Sequence, residues 1–284
     1  MLGDYDDFPF ANQRIDGILD QSFISFSMKY RCLTRWLLLV CVGVVSAFCT
    51  LAEKLPSARE VLDRSIKEMG GREAFLKLSS QVAKGRFEMP AQGLTGTIEL
   101  SAAKPSKLLL SIELGALGKI LSGYDGESAW IINPGMGPML MEGKMREQMV
   151  AQADFFATLH DSALFSSMTT LGKTNFDGQD CFEVKLVRKN GDELREFYTV
   201  KTGLARGVIA KVESPLGTLQ TTTFVTDYKK FGEILFATRV SQKMSGMEQV
   251  MTFQTVEFNQ VPEARFELPK EVKTLVEQKK AIKK

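Results

Sequence analysis

The chain has 284 residues, 44% hydrophobic and 25% charged, an ordinary globular composition with room for one large domain or two small ones. A formal net charge of +2 gives no electrostatic case for a nucleic-acid partner, which calls for a concentrated basic face.

Residues 28–52 have the three-part grammar of a secretory signal peptide. Lys29, Arg31 and Arg35 are followed by a 13-residue apolar run, Trp36 to Phe48, and then by Thr50-Leu51-Ala52 before Glu53. Crossing a bilayer takes about 20 apolar residues, so the run is short for a span. An uncleaved anchor over residues 36–48 is the competing reading. Residues 1–27, with Asp4, Asp6 and Asp7, lie ahead of a segment that normally opens a protein. Met28 is therefore the expected start, and residues 1–27 an extension outside the exported protein. Cys32, Cys41 and Cys49 belong to the signal, which leaves Cys181 without a partner for an intramolecular disulfide. Phe48 stands where a lipidated Cys49 would need a small residue, so lipid attachment is not expected.

The exported part is read as a domain over residues 53–269 with a basic tail over residues 270–284, helical or frayed. Ala58, Val61, Leu62, Ser65, Ile66 and Met69 recur at helical spacing, with Ser57 as the cap, and Gly70-Gly71 interrupts the helix. From Val82 the pattern has period two, punctuated by the hairpin dipeptides Asp125-Gly126, Asp177-Gly178 and Asn190-Gly191. A two-residue turn at Asn190-Gly191 pairs Leu186 with Arg195 and Val184 with Phe197 on an apolar face. It pairs Lys185 with Glu196 and Glu183 with Tyr198 on a charged one. The exception to the strands is residues 143–160, whose spacing predicts an inserted helix. The fold class is thus mainly β (α+β), with antiparallel strands, an N-terminal helix and an inserted helix.

Catalytic and metal chemistry find no support. His160 is the chain's one histidine, and no Gly-x-Ser-x-Gly elbow accompanies it. A zinc site needs several Cys or His ligands. No calcium-type aspartate loop or Gly-Lys-Ser/Thr phosphate cradle is present. The reading is not an enzyme, with no catalytic residue, metal or cofactor. What stands out is apolar. Leu110, Ile112 and Leu114 share a strand face; Leu121, Trp130 and Ile132 share another across the Asp125-Gly126 turn. Met136, Met139, Met141, Met145 and Met149 then cluster, and methionine adapts to varied apolar partners. Taken singly these residues suit a packed core; as a set they suit the lining of a greasy cavity.

Several short blocks occur in a familiar order: Met69-Gly70-Gly71-Arg72, Lys84-Gly85-Arg86-Phe87, Tyr124-Asp125-Gly126, Phe176-Asp177-Gly178, Thr202-Gly203-Leu204, Tyr228-Lys229-Lys230-Phe231-Gly232 and Phe266-Glu267-Leu268-Pro269. Over about residues 59–269 this resembles the bacterial outer-membrane lipoprotein-sorting proteins, the LolA/LolB-like superfamily. The resemblance implies a curved antiparallel sheet forming an incomplete β-barrel, with the N-terminal and inserted helices covering its concave face. It implies a protein of the periplasm or cell envelope that holds lipid or lipoprotein acyl chains, with envelope membrane proteins as possible partners. Leu110, Ile112, Leu114, Leu121, Trp130, Ile132, Met139 and Met141 are the expected ligand-binding residues. A periplasmic sensor or protein-interaction module on the same fold is the alternative, and the oligomeric state stays open.

Export predicts cleavage after Ala52. N-terminal sequencing of the exported protein should begin at Glu53, and an intact Trp36–Phe48 segment recovered from membranes would show an anchor instead.

Overall fold

The period-two segments form a single antiparallel sheet in a computed structural model that describes residues 54–214 and 217–282. The extension, the signal segment, residues 215–216 and residues 283–284 lie outside the described residues. A first meander holds β1 (Ser80–Met89), β2 (Leu94–Ala103), β3 (Lys107–Glu113), β4 (Lys119–Tyr124), β5 (Ala129–Asn133) and β6 (Gly137–Leu140). A second holds β7 (Phe165–Phe176), β8 (Gln179–Arg188), β9 (Glu193–Thr199), β10 (Ala205–Ser214), β11 (Gly217–Phe231), β12 (Ile234–Met244) and β13 (Met247–Phe258). Pairing of β1 with β13 joins them, giving the order β6-β5-β4-β3-β2-β1-β13-β12-β11-β10-β9-β8-β7. The sheet is curved and is not closed into a barrel; β6 and β7 are its edges.

Among the described residues four α-helices complete the fold: α1 (Ala58–Glu68), α2 (Arg72–Leu76), α3 (Gly143–Ala153) and α4 (Lys270–Ile282). Ser57 caps α1 in a reciprocal capping box with Glu60, which satisfies backbone donors at the helix start. The helix then lays Ala58, Val61 and Leu62 on Phe165, Val184, Leu186 and Tyr198. Each large apolar side chain buried this way contributes about 1.5–3 kcal/mol. Beyond Gly70-Gly71, Ala74 and Leu78 pack on Ile234. The insertion leaves one sheet edge at β6, and Met149 and Ala153 of α3 pack on Tyr124 and Ala129. Gln148 carries α3 over to the other meander. Its Nε2 donates to the Lys211 carbonyl at 3.2 Å, and its Oε1 accepts from the Glu213 amide at 2.9 Å. The basic tail forms α4, which buries Val272 and packs against β6.

Two expected hairpins differ. At Asp125-Gly126 the turn holds four residues, 125–128, because Asp125 Oδ1 accepts from the Glu127 and Ser128 amides at 2.8 and 2.7 Å. Leu121 therefore pairs with Ile132 rather than Trp130. At Asn190-Gly191 the register is off by one residue. Asp177-Gly178 makes the two-residue turn, with φ of 50° and 74° and Phe176 paired with Gln179. Asn190-Gly191 does not, because Lys189 joins the turn and the Arg188 amide donates to the Asp192 carbonyl at 2.8 Å, closing a three-residue loop. The Asp192 amide donates to Asn190 Oδ1 at 3.1 Å, and Asn190 Nδ2 donates to Asp192 Oδ2 at 2.9 Å. Lys144 of α3 holds the same carboxylate at 2.9 Å. Leu186 therefore pairs with Leu194, Lys185 with Arg195 and Val184 with Glu196. A one-residue slip exchanges the two faces of a strand. Arg195 meets Glu183 and Lys185 meets Glu193 in ion pairs, while Glu196 turns to the face covered by α1.

The β1–β13 junction depends on Gly85, beside a break in register. A Cβ there would lie 2.0 Å from the Thr252 carbonyl oxygen and 2.7 Å from Phe253 Cα. Gly85→Ala is expected to cost about 1–3 kcal/mol by urea denaturation. Gly172→Ala on edge strand β7, where a Cβ meets nothing within 4 Å, should stay within about 0.5 kcal/mol of wild type.

Candidate functional site

Directly paired residues of an antiparallel sheet share a face, so the register identifies the concave one. Gln81, Ala102, Leu108, Tyr124 and Ala129 form one cross-strand row. Ala83, Leu100, Leu110, Ser122, Ile131 and Met139 form the next. A cavity of about 360 Å³ lies against this face. Leu100, Ala102 and Leu108 bound it from the first meander, and Phe236, Val240 and Phe253 from the second. Phe75 and Leu78 close it from the helical side, with Phe155 and Phe156 from the segment after α3.

That segment, residues 154–160, is strapped across the mouth at both ends. The Phe155 amide donates to the Pro105 carbonyl at 3.1 Å, and Asp154 forms a bridge with Ser106. At the other end Arg72 donates to the Leu159 carbonyl at 3.2 Å and Arg59 to the His160 carbonyl at 2.9 Å. The His160 ring completes the strap: Nδ1 donates to the Thr158 carbonyl at 2.8 Å, and Nε2 to Glu196 at 2.9 Å. Tyr198 donates its hydroxyl to the same carboxylate. The side chains of His160 and Glu196 are only 13% and 17% exposed. Burial alone would lower the His160 pKa, but the Glu196 charge and hydrogen bond, with the Thr158 carbonyl, carry it above its ordinary value. Burial likewise would raise Glu196, yet His160 and the Tyr198 hydroxyl hold it below its own. Both ring nitrogens thus face oxygen acceptors. Among the described residues no group of three or more His, Cys, Asp or Glu side chains is placed to hold a metal ion.

His160 and its neighbours also line a second cavity of about 300 Å³, with Ser65, Phe165, Arg188, Glu196 and Tyr198. Met69, Ala157 and Thr158 line both cavities, so the strap is their common wall.

The eight residues expected to bind ligand are divided by the sheet. Leu110, Ile112 and Met139 occupy cavity-face positions, where Ile112 is buried in the main core and Leu110 and Leu114 pack against it. Met141 packs against the Met149–Ala153 cluster under α3. Leu121, Trp130 and Ile132 pair with Ser111, Gly123 and Leu121 in rows that lie on the opposite face. Trp130, 2% exposed, is buried there in the half of the sheet that α4 flanks. None of the eight bounds the 360 Å³ cavity. Its walls include Phe236 of β12 and Phe253 and Phe258 of β13. The last two are five residues apart and share a face only through the register shift in the β1–β13 ladder, which a period-two reading does not see.

No protein-family model matches the sequence, and no curated protein matches it. The architecture does have solved counterparts. A LolA superfamily protein from Nitrosomonas europaea is similar over 75% of this chain and 99% of its own, at 14% identity and a TM-score of 0.52. The fold is LolA-like. A DUF1329 family protein from Desulfovibrio piger matches this LolA-like fold over 74% of this chain and 97% of its own, at 15% identity and a TM-score of 0.52.

The strap gives the LolA-like fold a pH-dependent tie. Raised His160 contributes stability that is present below its unfolded pKa of about 6.5 and is lost as pH rises through the folded value. Lowered Glu196 contributes stability that is present above about 4.5 and is lost as pH falls through its folded value. His160→Ala should therefore destabilise by on the order of 3 kcal/mol near pH 6, by urea denaturation, because it strands a buried carboxylate. The difference from wild type should narrow as pH rises beyond the folded pKa of the histidine.

Proposed function

We propose that this protein is an exported envelope protein that holds a lipid acyl chain in the 360 Å³ cavity beneath the 154–160 strap. The observation that carries this reading is an apolar chamber, walled by both meanders, whose cover is a segment fastened by a few hydrogen bonds rather than by strands. Its size is at the small end of the roughly 300–1,000 Å³ found for ligand pockets, which suits one chain or a part of one. Leu110 and Met139 extend the same face beyond the cavity. Each methylene moved from water into such a site gains about 0.8 kcal/mol, so a lipid chain crossing an aqueous compartment is strongly favoured to travel inside a protein. The LolA-like fold and the signal grammar of residues 28–52 support carriage in the envelope. The buried His160–Glu196 pair is assigned to fastening the cover, and no catalytic step is assigned to the cavity.

The test is displacement of a fluorescent fatty acid from purified protein. Ala237 lines the cavity, and Ala237→Phe fills it. Excluding about two methylenes should weaken binding roughly tenfold with little change in melting temperature. Trp130→Ser, on the opposite face, should instead cost about 3–5 kcal/mol of stability, with no binding defect separable from unfolding. Wild-type protein that never takes the probe would overturn the proposal.

A further inference from the structure

The second cavity has features that an apolar chamber does not need. Ser65 is 2% exposed, lines this cavity, and its Oγ has no hydrogen-bond partner. A buried hydroxyl left unpaired costs about 1–3 kcal/mol, so a partner is to be sought in whatever occupies the space beside it. Arg188 lines the same cavity. Its guanidinium stacks on the Phe165 ring, 5.2 Å from the centroid, and makes no ion pair with any of the described residues. Glu196, the carboxylate in this cavity, is already engaged by His160 and Tyr198. Arg188 acts on that carboxylate only through its field, with no ion pair of its own among the described residues, and so keeps guanidinium donors to offer beside an unpaired hydroxyl.

We infer that the second cavity, around Ser65 and Arg188, binds the anionic head of a single-chain amphiphile, a fatty-acid carboxylate, whose chain lies in the larger cavity. This rests on the acyl-chain reading and narrows it from acyl chains in general to free acids. Three observations agree. The aromatic side chains of Phe75, Phe155, Phe236 and Phe253 line the first cavity; the unpaired Ser65 hydroxyl and the Arg188 guanidinium line the second; and Met69, Ala157 and Thr158 border both, so a ligand extended past this shared border has its chain among the rings and its head beside the hydroxyl and the guanidinium. A guanidinium and a hydroxyl together suit a carboxylate, because a charge-assisted hydrogen bond is about twice as strong as a neutral one. An ester or alcohol of the same chain length fills the first cavity equally but brings no charge to Arg188.

The experiment compares palmitate with methyl palmitate as competitors of a fluorescent fatty acid, using the whole exported chain. Wild type should prefer palmitate by on the order of tenfold. Arg188→Gln should bring the ratio close to one, Arg188→Lys should keep part of it, and Ser65→Ala should reduce it. Thermal melting of each variant confirms folding, and Ser65→Ala provides a near-isosteric second variant should Arg188→Gln fail to fold. Equal binding of acid and ester by wild type, or a preference that survives both Arg188→Gln and Ser65→Ala, overturns the head-group assignment while leaving the acyl-chain reading intact. If neither compound competes and the fluorescent acid itself does not bind, the acyl-chain reading falls and this inference falls with it.

Discussion

The pairing of β1 with β13 is the contact on which the rest of the molecule depends. Every other strand pairing links consecutive strands, and the two meanders would otherwise each present a second edge. The ladder from Gln81–Phe258 to Glu88–Val250 makes their concave faces continuous, so that Ala83 and Phe87 share a core with Phe253 and Val256. It is also the costly contact, since its partners come from opposite ends of the described chain and closure entropy precedes any reward. Close approach of the backbones at Gly85, with no room for a side chain, is one way the sequence makes that closure fit.

Much of the fold was legible because local signals and global structure agree. Ser57 caps α1 as its chemistry suggests, Gly70-Gly71 separates α1 from α2, and Asp177-Gly178 makes the tight turn its residues favour. The insertion at residues 143–160 is helical and covers the concave face, as the resemblance to the lipoprotein-sorting proteins implied. The candidate site was less legible, for two physical reasons. Parity along a strand says which residues share a face but not which face is concave; Trp130 and Leu110 look equally apolar and lie on opposite sides. And a hairpin register can be moved by a residue outside the turn. Asp192, held by Asn190 and by Lys144 from a distant helix, moves Glu196 from the surface ladder to the interior beside His160.

That displacement decides the chemistry of the interior. An ionised carboxylate on a covered sheet face is costly unless it is paired and hydrogen-bonded. Glu196 meets both needs through His160 and Tyr198, two donors from different elements. The same pairing ties a loop to a strand across the cavity mouth, so the solvation of one acid and the position of the cover are a single problem with a single solution. Because the strap is the common wall of two chambers, its position sets the volume of both at once.

Gln148 does for α3 what no strand does. Between Lys211 and Glu213, β10 extends past the end of β9, and the amide of Gln148 meets one carbonyl and one N–H there as a neighbouring strand would. Lifting α3 away from the sheet would return those groups to water as a short unpaired edge, open to pairing with any extended chain nearby. The helix over the concave face is therefore also a guard against self-association. Displacing the 154–160 strap alone leaves those two Gln148 bonds in place, so the cover can move without baring the β10 edge.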